Sequence, residues 1–410
     1  MHQQTELLEC LSRYEKRFAT ALAKQPSRHP WTSDGCWDIQ QTLRACLGCR
    51  QEWMPEINCS CVRQTRHPGF AVEHLRFTSW PQVHGAAHLY LPHSESTMPV
   101  PIVILCCGHG AGAKFYPEYQ RMARHLVRLG TAVLVLDNIG QGERLPMGHH
   151  TAVVPFACGT SVQGLIVTET LAWVQWAQND PRFDPARIAA AGNSGGGALT
   201  LFLAALSPDI AVLSSSGQPC SFDFVARKEK QRCHCNLTPH IVGELDMWQL
   251  LGCFAPRPLL IFQGLGDQLF PADLFYRTAA RLQAVYDQLG ANRNFQFATV
   301  PGEHGWDLKR RQLLGDFFRQ QLNLTGNNNP AKTADEELLD PAQPCIADWP
   351  TDALTIDDLA RRLTGKNPPS DLQLWDVFPP DMPAELYHAT LPRGSLRQIL
   401  AQFEAALKPQ

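Results

Sequence analysis

The sequence predicts an α/β chain organised around a mostly parallel sheet, and three observations carry that expectation. Continuous apolar runs recur at Val100 to Cys107, Thr131 to Leu136, Ile188 to Ala191, Ile210 to Leu213, Pro258 to Phe262 and Phe295 to Val300, the composition of strands buried on both faces. Helical patterns separate most of them, which is the alternation that puts helices on both sides of a parallel sheet. Clusters of glycine and other small residues follow several of the runs, where turns carrying functional groups gather on such sheets. About eight strands are expected, flanked by helices and by helical extensions at both ends.

Taken in order, residues 1 to 65 read as a helical and irregular extension, with Leu7, Leu8, Leu11 and Tyr14 at helical spacing. Alternating runs from Phe70 to Trp80 and Gly85 to Pro92 then predict an antiparallel pair at the sheet's edge. The first crossover helix carries Tyr119, Met122, Leu126 and Leu129 on one face and ends at Gly130. Others are expected from Ser161 to Gln178 and from Ala272 to Leu289. Residues 218 to 252 hold no clear strand and are expected to run over the active site, as long excursions often do. A catalytic domain over 66 to 324 is followed by the linker composition of Thr325 to Pro330. The extension 325 to 410, with short helical patterns at Thr355 to Leu363 and Ser395 to Leu407, is expected to pack on the core or on a neighbouring subunit.

The chain has 410 residues, 44% of them apolar and 18% charged, with a formal net charge of -3. That balance provides no long-range attraction for nucleic acid or an anionic membrane. The residues from Met1 to Glu6 lack the basic start of a secretory signal and no apolar run reaches membrane-spanning length, so a cytoplasmic setting is expected. Fourteen cysteines include Cys46-x-x-Cys49, Cys59-x-Cys61 and Cys233-His234-Cys235. These spacings match no standard zinc module, and reduced structural thiols with no metal or cofactor are the expectation.

The chemistry centres on Gly192-Asn193-Ser194-Gly195-Gly196, at the end of the apolar run 188 to 191 and before a helical one. A strand, a sharp turn of small residues and a helix expose one serine hydroxyl, Ser194, as a nucleophile. A hydroxyl attacks a carbonyl poorly until an imidazole removes its proton, and a carboxylate best orients that imidazole. Asp267 follows the run 258 to 262 on Gly264-Leu265-Gly266, and His304 follows the run 295 to 300 in Pro301-Gly302-Glu303-His304-Gly305. Serine, acid and histidine thus come in the chain order of an α/β-hydrolase. Of the competing acids, Asp273 suits the first turn of a helix, and Glu303 is too close to His304 in sequence to need a role. The oxyanion needs two aimed amides. Gly195 is the first candidate and Ala111, in the turn Gly108-His109-Gly110-Ala111-Gly112, is the second, with Gly110 as the neighbouring alternative. That turn is not followed by the Gly-Lys-Ser/Thr ending of a phosphate cradle.

Four segments together resemble the acetyl xylan esterase-like branch of the α/β-hydrolases, near dienelactone hydrolase and prolyl oligopeptidase-type enzymes. They are Cys107-Gly108-His109-Gly110 with Lys114, Asp137 to Arg144 (Asp-Asn-Ile-Gly-Gln-Gly-Glu-Arg), Gly192 to Gly197, and Ala255-Pro256-Arg257-Pro258. The resemblance spans about 65 to 322 and implies the α/β-hydrolase fold, a serine hydrolase mechanism and the same triad. His109, Arg144, His234 and Trp306 are candidates for the substrate pocket, although Glu143 and Arg144 are read first as an ion-pair or hydrogen-bond network holding their loop. The expected reaction is hydrolysis of a small-molecule ester with a short acyl group, with homo-oligomerisation left open. An amide hydrolase using the same triad and a non-catalytic binding protein of the same fold are the alternatives.

Overall fold

The computed structural model describes residues 31–93, 98–149, 153–227, 234–236, 238, 241–326, 337–369 and 372. Nine strands form one sheet: β1 (Asn58–His67), β2 (Phe70–Thr78), β3 (His84–Pro92), β4 (Val100–Cys106), β5 (Ala132–Leu136), β6 (Phe183–Asn193), β7 (Val212–Ser216), β8 (Leu259–Gly264) and β9 (Phe295–Val300). Their order is β1-β2-β3-β5-β4-β6-β7-β8-β9. The pairings β1-β2, β2-β3 and β3-β5 are antiparallel. From β5 through β9 every pairing is parallel.

The helices are α1 (Ser33–Leu47), α2 (Pro117–Arg128), α3 (Val153–Cys158), α4 (Val162–Asn179), α5 (Gly195–Leu206), α6 (Phe222–Arg227), α7 (Met247–Gly252), α8 (Ala272–Gln288), α9 (Leu308–Gln321) and α10 (Ile356–Thr364). Two apolar layers result. One face of the sheet packs α4 and α5 through residues such as Leu134, Ile188, Trp173 and Phe202. The other packs α2 and α9 through Val103, Val133, Met122 and Phe318. β5 reads Ala-Val-Leu-Val-Leu and is buried at all five positions, because a parallel strand covered on both faces has no solvent side. Tyr119, Met122 and Leu126 are buried along α2 at the spacing expected of its inner stripe.

The sheet has one strand more than expected at its antiparallel edge. Residues 58 to 65, read from sequence as part of a helical and irregular extension, lie in β1 and pair with β2 from Asn58↔Thr78 to His67↔Phe70. None of its positions is fully buried, so the edge strand carries Arg63, Gln64, Thr65 and Arg66 without apolar alternation. The apparent strand signal was missing because this strand covers little core.

Residues 337 to 369 lie against the main body. The Leu339 amide donates to Gln120 Oε1 at 2.6 Å, the Ile346 amide to Glu143 Oε2 at 2.7 Å and the Leu354 amide to the Gln82 carbonyl at 2.9 Å. Thr355 and Asp358 form a reciprocal cap at the start of α10, whose Ala360 is buried with Val154 and Cys158 of α3. The helical patterns expected around Leu7 and from Ser395 to Leu407 lie outside the described residues. No helix among the described residues is long and apolar enough to cross a membrane.

Candidate active site

Ser194 stands between β6 and α5 with φ 59° and ψ -123°, a left-handed conformation that a non-glycine residue holds only under constraint. The turn closes so tightly that a Cβ on Gly192 would lie 2.1 Å from the Gly196 carbonyl oxygen. A Cβ on Gly196 would lie 2.0 Å from the carbonyl oxygen of Cys106 on β4. Backbone cannot yield at either place, so the glycines flanking Asn193-Ser194-Gly195 are what let the serine project from the sheet. The Ser194 amide donates to the Ser216 carbonyl at 3.0 Å, and its own carbonyl accepts from Ala198 at 2.8 Å as α5 begins.

Asp267 and His304 arrive from the ends of β8 and β9. His304 Nδ1 lies 2.7 Å from Asp267 Oδ2. The other carboxylate oxygen accepts from the amides of Leu269 at 2.8 Å and Phe270 at 3.1 Å, which fixes the plane of the acid. Burial raises the pKa of Asp267, but the hydrogen bond and charge of His304 and the two amides outweigh it, and the carboxyl is held below its ordinary value. A carboxylate in that position makes Nδ1 the protonated ring nitrogen and leaves Nε2 with its lone pair. Nε2 is buried and has no hydrogen-bond partner among the described residues. The ring lies over Gly217, where a Cβ would be 2.8 Å from His304 Cε1 and 2.6 Å from Asn193 Oδ1, so His304 and the serine turn share one wall.

Trp306 ties these parts together from below. Its indole Nε1 donates to Ser216 Oγ at 2.8 Å, and that hydroxyl lies 3.0 Å from Asn193 Oδ1 and 3.1 Å from the Gly192 carbonyl. Its ring meets Tyr119 edge-on at 5.8 Å. The residue expected to line the pocket is thus buried beneath the His304 loop.

The loop after β4 approaches the serine from the opposite side. The Gly108 amide donates to Tyr119 Oη at 2.5 Å. A Cβ on Gly195 would lie 2.4 Å from His109 Nδ1 and 3.2 Å from the His109 amide nitrogen. His109 is therefore the loop residue against the start of α5, whereas Ala111 is exposed two residues further on. A small cavity of about 10 Å³ opens here, lined by Gly108, His109, Gln141, His149, Gly195 and Cys235 among others. Cys235 reaches it from the excursion between β7 and β8, and its Sγ meets His109 Nε2 at 2.5 Å. The side chain of His234, another expected pocket residue, lies outside the described residues.

Arg144 is not at this cavity. Fully buried, it makes two parallel hydrogen bonds to Glu169, at 2.6 and 2.9 Å, and a third at 3.2 Å to the Asp137 carbonyl. Beside it, Lys114 is buried with its ammonium against the carboxylates of Asp137 and, at 2.6 Å, Glu143. Burial alone lowers the pKa of Lys114, but the two carboxylates outweigh it and the group stays charged, with its pKa above the usual lysine value. Asp137 also accepts from the amides of Lys114 and Glu143, which clamps the loop after β4 to the loop after β5. Sequence reading found Glu143 and Arg144 as a loop network but not Lys114 as its cation, because the partners stand 23 and 29 residues apart.

The sheet order, the crossover helices and the strained residue between β6 and α5 define an α/β-hydrolase. The family model described as "Acetyl xylan esterase (AXE1)" matches residues 62–227, from β1 to the end of α6. The chain is 25% identical over 223 residues to YtaP of Bacillus subtilis strain 168, named as a hydrolase, covering 51% of this chain and 74% of that protein. Among solved structures, Methylesterase BT1017 aligns with a TM-score of 0.63 and 19% identity over 86% of this chain and 78% of its own. Acetyl Xylan Esterase 1 from Thermoanaerobacterium sp. JW/SL YS485 aligns with a TM-score of 0.51 and 17% identity, over 69% and 93%. A glucuronoyl esterase from Solibacter usitatus gives 0.56 and 14%, over 73% and 95%. The fold is that of the α/β-hydrolases and the segment 62–227 is similar to acetyl xylan esterases, which together support a carboxylic ester hydrolase.

Proposed function

We propose that the chain hydrolyses esters of short acyl groups through Ser194, His304 and Asp267. The observation that carries this reading is the His304 imidazole, held at Nδ1 by Asp267 at 2.7 Å and presenting a buried, unengaged Nε2 beside the Ser194 turn. Nε2 takes the hydroxyl proton as Ser194 Oγ attacks the ester carbonyl, and the imidazolium is stabilised by Asp267. The tetrahedral oxyanion is met by the Gly195 amide and by one amide of the 108–112 loop. Ala111 is the candidate read from sequence, and His109 is the residue whose amide nitrogen lies beside Gly195. Collapse breaks the ester C–O bond, and His304 returns its proton to the departing alcohol. Water, deprotonated by the same nitrogen, then releases the acid from Ser194.

The acyl group lies next to the oxyanion site, and a cavity of about 10 Å³ there accommodates a group about the size of a water molecule or a methyl. The methyl of an acetyl group, the acyl group named in the description of the matching family, has that size. The steps need only side chains and amides of this chain, acting on a small-molecule ester in a cytoplasmic setting. Turnover of p-nitrophenyl acetate, propionate, butyrate and hexanoate tests the reading, with acetate expected to have the highest kcat/KM. Ser194→Ala is expected to lower kcat by roughly 10⁴-fold or more and to abolish labelling by a fluorophosphonate probe. Unchanged turnover in that variant, or a parent that prefers hexanoate, refutes the reading.

A further inference from the structure

Two groups of histidine and cysteine lie close enough together to share a metal ion, and their surroundings separate them. In the first, His74, His88 and Cys345 are all buried within 4.8 Å of one another. Arg63 Nη2 lies 3.1 Å from His74 Nδ1, and Thr65 occupies the other nitrogen at 3.2 Å. The fixed cation beside His74 disfavours a metal there. The second group, His109, His149 and Cys235, also has its ligand atoms within 4.8 Å of one another, and it borders the cavity beside Gly195. Among the described residues, the lining of that cavity includes no lysine or arginine.

The second group also has the supporting contacts of a metal site. His149 Nδ1 lies 2.8 Å from the Ile139 carbonyl, which can only accept, so Nδ1 carries the proton and Nε2 carries the lone pair. An imidazole that donates one N–H to a backbone carbonyl is the usual arrangement for a metal-binding histidine. Nε2 accepts from Gln141 Nε2 at 3.0 Å, a contact that a bound metal ion would replace. His109 Nε2 and Cys235 Sγ already converge, and the two imidazoles meet edge-on with centroids 6.0 Å apart. Zinc bonds of about 2.0 Å to nitrogen and 2.3 Å to sulfur place tetrahedral N and S ligands roughly 3.5 Å apart. A shift of about 1 Å in the His109 side chain or in the Cys235 turn reaches that spacing.

We propose that His109, His149 and Cys235 form a binding site for one thiophilic divalent transition-metal ion of the zinc type, and that its occupancy reversibly inhibits the enzyme. Two imidazoles and a thiolate select zinc, cobalt or copper over magnesium or calcium, which need oxygen ligands. Binding deprotonates the Cys235 thiol, forms the metal–sulfur bond and releases the proton to solvent. The fourth position faces the cavity, so the bound ion fills the space assigned above to the acyl group and pins His109, whose loop borders Gly195. Only the inhibitory effect rests on the proposed esterase reaction. The site itself does not.

The test uses the full-length protein after chelator treatment and dialysis. Titration with cobalt(II) is expected to give one equivalent bound per chain, with tetrahedral visible bands and a near-ultraviolet thiolate-to-cobalt charge-transfer band that zinc(II) displaces. Cys235→Ser is expected to abolish the charge-transfer band. His149→Ala is expected to weaken zinc by more than the roughly 10–100-fold that a supporting contact contributes. Zinc is expected to suppress p-nitrophenyl acetate turnover in proportion to occupancy, with recovery on adding chelator. No thiolate band in the parent, or a band that persists in Cys235→Ser, overturns the site. Stoichiometric binding with undiminished turnover overturns the inhibition. A protein that binds cobalt through Cys235 but never turns over an ester keeps the metal site and refutes the esterase reading instead.

Discussion

Replacing Lys114 by methionine isolates the electrostatics that clamp the loop after β4 to the loop after β5. Lys114 and Asp137 both have fully buried side chains, and that of Glu143 is 8% exposed. Methionine fills the aliphatic volume of lysine, so the change chiefly deletes the cation and leaves Asp137 without its buried partner. Breaking a buried pair from one side costs about 3–5 kcal/mol. Protonation of Asp137 sets a second bound. Neutralising a carboxyl of ordinary pKa 3.8 at pH 7 costs about 4 kcal/mol, and at pH 5 under 2 kcal/mol. The expected loss is therefore about 3–4 kcal/mol at neutral pH and about 2 kcal/mol less at pH 5.

The sign follows from linkage. In the parent, burial already holds the Asp137 pKa above its ordinary value despite Lys114, and removing the cation raises it further, so relative to the parent the variant regains stability as pH falls and loses it as pH rises. In the parent, Glu143 is held below its ordinary 4.5 despite burial, through Lys114 and the amides at Cys345 and Ile346. Lys114 is held above its ordinary 10.5. The stability from Glu143 is lost only as pH falls through that depressed pKa, and the stability from Lys114 only as pH rises through the raised one. Neither group titrates between pH 5 and 7. Urea unfolding of parent, Lys114→Met and Lys114→Met/Asp137→Asn at pH 5 and 7 reads the gap directly. The double variant is expected to lose the pH dependence of the gap, because the uncompensated carboxylate is gone. A loss under about 1 kcal/mol at pH 7, or a gap that does not change with pH, refutes the reasoning.

Three further variants test the site. Asp267→Asn is expected to cut kcat by about 10⁴-fold with little change in KM, since an amide no longer selects the Nδ1–H tautomer of His304; steady-state kinetics on p-nitrophenyl acetate measure it, and a fall under tenfold contradicts the assignment. Because the pKa of Asp267 lies below its ordinary 3.8, its stabilising contribution is present above that value and is lost as pH falls through the lower folded pKa, so acid unfolding of Asp267→Asn is expected to be shallower than the parent's. Gly217→Ala places a Cβ 2.8 Å from His304 Cε1 at a residue with φ +57°, and is expected to lower kcat about 10²-fold and stability by about 1–2 kcal/mol, read by kinetics and urea unfolding together. Trp306→Phe removes the donor to Ser216 Oγ and is expected to cost about 1 kcal/mol in the same unfolding assay.

The parallel half of the fold was legible because its strands are buried on both faces and its turns are rich in glycine. Those constraints act locally, so β4 to β9 and the positions of Ser194, Asp267 and His304 at strand ends could be read residue by residue. β1 could not, because an exposed edge strand is fixed by backbone pairing with β2 and leaves little trace in side-chain pattern. The long-range polar contacts were equally hidden. Lys114 finds Asp137, Arg144 finds Glu169 and Cys235 finds His109 only after the sheet order brings their loops together. Trp306 shows the same limit from another side. Its position after His304 suited either a pocket wall or the core, and the indole turns inward because its N–H has a buried acceptor in Ser216.

The distribution of those hidden contacts has a physical logic. At the carboxyl ends of β4, β5, β6 and β9 the chain leaves the apolar layers, and hydrophobic packing no longer fixes side-chain direction there. Directional polar contacts take over: Lys114 with Asp137 and Glu143 for the loops after β4 and β5, Ser216 with Asn193 and Trp306 for the loops after β6 and β9. A strained Ser194 persists only if its neighbours over-determine it. The elbow accordingly has backbone contacts on two sides, from Cys106 of β4 and Ser216 of β7, and its geometry does not depend on one weak interaction. The cavity wall at Cys235 is different. It comes from an excursion whose described residues near it form short helical turns, and its Sγ meets His109. The proposed nucleophile, base and acid are therefore held by the sheet, while the proposed acyl side of the site is the part that a bound ion would reshape without disturbing Ser194, His304 and Asp267.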